Sequence, residues 1–184
     1  MVEWLLHPLL RRRAYAALLR RSRPATLLVV CHGNICRSPF AAARLARGLG
    51  TTGVRVESAG FVGPDRACPP EAVKAAARWD EDLSAHRSAL LVADRVRSAD
   101  LIVVMDPAQG RAIYERFGRS PRDILVLGDL DPVPMATRAI RDPVEQGLEV
   151  FAESYARIER CVAELVNALG ARPHAGAVAG TPCL

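Results

Sequence analysis

The chain has 184 residues, 50% apolar and 24% charged, with a formal net charge of +5. That is enough for one globular domain with a sizeable core and short for two. No apolar run reaches transmembrane length and no signal-peptide pattern opens the chain. The five cysteines (31, 36, 68, 161 and 183) are odd in number without zinc-like pairing, so the expected setting is a reducing cytoplasm.

Residues 1–24 carry six arginines and one acid, which accounts for the whole formal charge; residues 25–184 balance. A nucleic-acid surface gains little support from such a distribution. Residues 8–21 read as a helix, with Leu9, Leu10, Ala14, Ala17 and Leu18 at helical spacing and Ser22-Arg23-Pro24 ending it. Either this extension packs on the body, or it is a basic amphipathic helix in peripheral contact with anionic lipid or a partner. From residue 25, strand and helix patterns alternate. Strands are expected at 26–30, 53–57, 101–105 and 124–127. Helices are expected from the loop after Cys36 to about Gly48, at 70–77, 107–117 and 149–169, with a loop and helix start at 84–91. This predicts a single α/β domain: a central four-stranded parallel sheet covered by helices on both faces. The Gly/Pro-rich tail, 170–184, is expected to be disordered.

The run Cys31-His32-Gly33-Asn34-Ile35-Cys36-Arg37-Ser38-Pro39 lies between the first strand and a strong helix former. In a parallel sheet, that places it at the carboxyl end of a strand, where ligands bind. Five residues separate Cys31 from Arg37, enough to curl around one tetrahedral oxyanion. Gly33 is expected to take a positive φ, and Asn34 suits a left-handed position. Loop amides and the helix N-terminus supply positive field to the anion. Arg37 offers a two-pronged phosphate clamp. The same field favours the thiolate of Cys31, the form that attacks phosphorus, and Ser38 can hydrogen-bond its sulfur. Displacement of phosphate also needs an acid for the leaving oxygen. Asp142-Pro143 is the candidate, although Asp106-Pro107 and Asp131-Pro132 share the dipeptide, and an Asp before Pro is often a helix cap.

The stretch from Cys31 to Pro39 resembles the signature of the low-molecular-weight protein tyrosine phosphatases. Further landmarks occur in the same order: Glu57-Ser58-Ala59-Gly60, Asp82-Leu83-Ser84-Ala85-His86-Arg87, Ala99–Asp106, and Arg141-Asp142-Pro143 with the last helix. The resemblance covers about residues 25–169, the expected phosphatase domain. It implies hydrolysis of phosphotyrosine in protein substrates through a cysteinyl-phosphate, without cofactor or metal. It makes Cys31 the nucleophile, Arg37 the clamp, and Asp142 the acid and then the base. His32, Gly33, Asn34, Ile35, Cys36 and Ser38 would line the phosphate, with Asn34, Ser58 and His86 holding the loop in shape. Cys36 occupies a position from which it can trap Cys31 as a reversible disulfide, and equally reads as a small buried hydrophobe.

Two positions depart from the family pattern. Val144 stands where an aromatic wall of the cleft is common, and His32 where a small or aliphatic residue is usual. Phe61 is a candidate replacement wall, and Glu145 is expected to disfavour acidic peptides. Ile35, in place of the Thr of a phosphoarginine phosphatase, favours an aryl phosphate. The arsenate reductase variant of the fold needs two later cysteines in a mobile segment, and none lies between Cys68 and Cys161. A non-catalytic phosphate- or partner-binding module on the same fold is the reading from another class.

Overall fold

The computed structural model describes residues 2–170; of the tail expected to be disordered, Gly170 closes the last helix and residues 171–184 lie outside the described residues. The first element is α1 (Val2–Arg20), followed by β1 (Thr26–Cys31) and α2 (Arg37–Leu49). Next come β2 (Arg55–Gly60), α3 (Pro70–Ala77), α4 (Ala93–Ser98) and β3 (Leu101–Val104). The chain ends in α5 (Pro107–Phe117), β4 (Ile124–Val126) and α6 (Leu148–Gly170).

The four strands form one parallel sheet in the order β2-β1-β3-β4. All six residues of β1 are buried, as a central strand covered on both faces requires. Alternate side chains serve opposite cores. Leu27 and Val29 pack with α2 and α6, while Leu28 and Val30 pack with Val96 of α4 and Ile113 of α5. Both α3 and α5 begin with a proline whose fixed φ suits the first helical position, and both match the sequence expectation. The loop and helix start expected at 84–91 resolves as loop alone, and α4 begins at Ala93.

Two expectations need correction. Strand β2 runs to Gly60, three residues beyond the expected end, because pairing with β1 continues through Cys31 opposite Gly60. The N-terminal helix starts at Val2 and passes through Pro8, which forfeits a single backbone hydrogen bond near the helix start. Nor is that helix amphipathic. Leu18 is buried, but Leu5, Leu6, Leu9 and Leu19 are exposed on the opposite side, so apolar residues occupy both faces. The inner face docks on the body. Arg11 pairs with Glu164 of α6, and the Tyr15 hydroxyl donates to the same carboxylate at 2.5 Å. Beyond the helix end, Arg21 bonds Asp123 at 2.9 Å. No helix among the described residues is long and apolar enough to cross a membrane.

Candidate active site

Cys31 closes β1 and Arg37 opens α2, so residues 32–36 form the loop between them. Loop curvature comes from Asn34, whose φ is +52°, and not from Gly33, whose φ is not positive. A Cβ added to Gly33 would meet Arg66 and Ile35 only at ordinary contact distance. Asn34 is fully buried and every polar atom it offers inward is used. Its Nδ2 donates to Ser38 Oγ at 2.8 Å and Ser58 Oγ at 2.9 Å, and its Oδ1 accepts from Ala89 N at 2.8 Å. His86 Nε2 donates to the Asn34 carbonyl at 2.8 Å, which fixes the proton on that nitrogen. Ser38 Oγ lies 3.0 Å from Cys31 Sγ. Thus Asn34 and Ser38 of the loop run, Ser58 of β2 and His86 of a later loop converge behind one thiol, from three segments.

Arg37 is only 3% exposed. Its Nη1 donates to the Ile140 carbonyl at 3.0 Å, and its Nη2 pairs with Asp142. Its Nε is buried without a protein partner. Asp142 itself lies in the connection between β4 and α6, with 37% of its side chain exposed. It does not cap a helix: its Oδ1 accepts from Val144 N at 3.3 Å in a local turn, and α6 begins only at Leu148. The other two Asp-Pro pairs do different work. Asp106 caps α5 by accepting from Gln109 N at 2.9 Å. Asp131 is fully buried between Arg157 and Arg160 of α6, each 3.1 Å away.

The Asp142 segment is braced from behind. Arg157 donates to the carbonyls of Ala139 and Thr137, both at 2.7 Å, and Asp129 grips Arg138 through two 2.7 Å bonds. Ser154 Oγ donates to the Arg141 carbonyl at 3.1 Å. The Asp142 carboxyl is therefore carried on a held segment.

Several contributors were not singled out from the sequence. Gly60 touches the loop so closely that a Cβ there would lie 2.7 Å from Asn34 N and 2.8 Å from His32 O. The Tyr155 hydroxyl donates to the Cys36 carbonyl at 3.0 Å, while its ring stacks on Phe40 at 4.0 Å. Tyr155 reads in the sequence as one more apolar position of the last helix. Arg66 lines the mouth together with Cys31, Gly33, Ile35, Asp142 and Val144, and nothing in its Gly/Pro-rich neighbourhood signals that.

Cys36 is 3% exposed, and burial, reinforced by the neighbouring Cys31, Asp142 and Cys68, pushes its thiol up to about 12. His32 is exposed at the rim, and its carbonyl accepts from Phe61 N at 2.7 Å, seating Phe61 against the loop. Val144 is 38% exposed and leaves its side of the mouth low. Among the described residues, no cluster of metal-ligating side chains accompanies these groups.

The sequence and fold have counterparts. The family model for low molecular weight phosphotyrosine protein phosphatase matches residues 26–174. The probable low molecular weight protein-tyrosine-phosphatase EpsP of Ralstonia nicotianae is 40% identical over 139 residues, covering 74% of this chain and 90% of EpsP. The tyrosine phosphatase Wzb of Escherichia coli K30, solved with sulphate, is 26% identical with a TM-score of 0.73, over 80% of this chain and 99% of Wzb. YwlE arginine phosphatase from Geobacillus stearothermophilus is 26% identical with a TM-score of 0.71, over 79% of this chain and 92% of that one. Matched over most of its length by the family model and by relatives of nearly full coverage, the chain belongs to the low molecular weight phosphotyrosine protein phosphatase family.

Proposed function

We propose that the chain hydrolyses phosphotyrosine in protein substrates through a phosphocysteine at Cys31. The observation that carries this is Arg37: a buried guanidinium with an unpartnered Nε, placed at the far end of the loop that Cys31 opens. A buried charged donor without a partner is costly, and a phosphoryl oxygen satisfies it.

In the first step the Cys31 thiolate attacks phosphorus and the bond from phosphorus to the phenolic oxygen breaks. The Asp142 carboxyl gives its proton to the departing oxygen. In the second step Asp142, now a carboxylate, takes a proton from water as that water attacks phosphorus. The sulfur–phosphorus bond breaks, and inorganic phosphate and the thiolate are regenerated. Arg37 and the loop amides stabilise the equatorial oxygens in both steps, and Ser38 donates to the thiolate as it leaves. Asn34, Ser58 and His86 hold the loop. His32, Gly33, Ile35 and Cys36 border the phosphate.

Turnover of para-nitrophenyl phosphate in chelator, abolished by Cys31→Ser, supports the mechanism; undiminished activity of that variant refutes it. Asp142→Ala should slow poor leaving groups far more than activated ones. Ile35, an apolar side chain at the mouth, favours an aryl ester over phosphoarginine, which a comparison of the two substrates tests directly.

A cytoplasmic location is supported by four buried cysteines that are all free thiols. Although α1 as a whole is not amphipathic, its outer face exposes Leu5 and Leu9 beside Arg12, Arg13 and Arg20, and clustered cations next to apolar side chains favour an anionic membrane surface. Co-sedimentation with phosphatidylglycerol vesicles, lost on Leu5→Glu/Leu9→Glu, is the corresponding test.

A further inference from the structure

A cavity of about 560 Å³ adjoins the catalytic mouth and shares two walls with it, His32 and Asp142. Arg37, Phe61, Arg116 and Arg141 also line it. The Arg116 guanidinium lies over the Phe61 ring, 5.5 Å from its centroid, and Phe61 is bonded through its backbone to His32. Stacking of this kind fixes a guanidinium in place and leaves its edge donors free.

The acids of the cavity are already engaged. Asp106 accepts from the α5 backbone and Asp142 pairs with Arg37. Arg116, Arg141 and, across the mouth, Arg66 make no ion pair with any described residue. Elsewhere on the body, arginines are commonly paired, as Arg44 is with Glu159 and Glu81 and Arg138 with Asp129. Glu145, the residue expected to repel acidic peptides, borders neither the cavity nor the mouth.

We propose that this cavity is a subsite for carboxylate side chains flanking the phosphotyrosine, with Arg116 as its principal recognition residue and Arg141 and Arg66 extending it. The inference rests on the phosphotyrosine reading and narrows it to acidic sequence contexts. Because cavity and mouth share walls, residues next to the phosphotyrosine fall within the cavity. Planar guanidinium edges match carboxylates in a two-bond geometry. Partly exposed pairs of this type are worth up to roughly fivefold in binding each, and salt weakens them.

The test compares kcat/KM for phosphotyrosine peptides with glutamate or with alanine at the flanking positions, at low and high ionic strength. The wild type should prefer the glutamate peptide at low salt, by up to roughly fivefold for each glutamate engaged. Arg116→Gln should shrink that ratio, and Arg116→Glu should invert it, with the thermal melt of each variant confirming the fold. Equal kcat/KM for the two peptides in a wild type that turns over para-nitrophenyl phosphate overturns the subsite alone. Absence of turnover on every phosphomonoester overturns the phosphatase reading beneath it.

Discussion

Replacing Gly60 by alanine should damage catalysis more than its distance from the reacting atoms suggests. The added Cβ would lie 2.7, 2.8 and 2.9 Å from Asn34 N, His32 O and Gly33 C, all of them backbone atoms of the phosphate loop. A carbon contact relaxes at about 3.5 Å, so the loop would have to retreat by roughly 0.7 Å. Gly60 has no room to retreat instead. Its N–H donates to Ala89 O at 2.9 Å, and its carbonyl accepts from Leu91 N at 2.7 Å. Overpacking of this size costs about 1–3 kcal/mol, which lowers the melting temperature of a domain of this length by roughly 2–12 °C. Misplacement approaching an ångström at reacting groups costs on the order of 100-fold in rate. Steady-state turnover of para-nitrophenyl phosphate alongside a thermal melt measures both. A variant whose kcat and melting temperature match the wild type would refute the claim that the end of β2 shapes the loop.

Tyr155→Phe keeps the stack on Phe40 but removes the hydroxyl donor to the Cys36 carbonyl, which as the N-cap of α2 keeps its helical partner; the lost bond should cost about 0.5–1.5 kcal/mol in denaturant titration. An unchanged midpoint would mean that this bond contributes nothing. Gly128→Ala would set a Cβ 2.0 Å from Arg138 O, so the Asp142 segment should shift and kcat fall, most for poor leaving groups; equal loss on all leaving groups would contradict that route. Burial, the first cause in each case, pushes Cys36 and Cys161 up to about 12 and Cys68 to about 11. Against an unfolded value of about 8.5, these raised thiols stabilise the fold below that pH, and the contribution drains away as pH climbs toward the folded values. The denaturant midpoint should therefore decline above about pH 9, less steeply in Cys161→Ala; a flat profile in the wild type would contradict it.

The phosphate loop was legible because its determinants are contiguous: strand, thiol, left-handed Asn34, arginine and helix follow one another in nine residues. Helices α3 and α5 were legible for a similar local reason, a proline at the first position. What escaped depends on partners far along the chain. The length of β2 is set by pairing with β1, and the need for Gly60 arises only when the loop lies against it. Arg157 and Asp131 brace the Asp142 segment across 26 positions, a separation that leaves no periodic trace. The N-terminal helix was read as starting at Pro8, yet α1 runs through Pro8 from Val2, and Arg11, Tyr15 and Arg21 hold it to Glu164 and Asp123 of the body. Gly33 misled in the opposite way, since a glycine permits a positive φ without requiring one.

Arg37 touches both Asp142 and the Ile140 carbonyl, so segments about a hundred residues apart meet on one guanidinium. In the proposed reaction an arriving phosphoryl group competes with Asp142 for that cation. Substrate entry thus frees Asp142 from the pair so that it can carry the proton the leaving oxygen needs, and once inorganic phosphate departs, the proton taken from water passes to solvent as the carboxylate re-engages Arg37. The arginine then works as an interlock: the acid is free only while the loop is filled, and the cation is never left without a counter-charge.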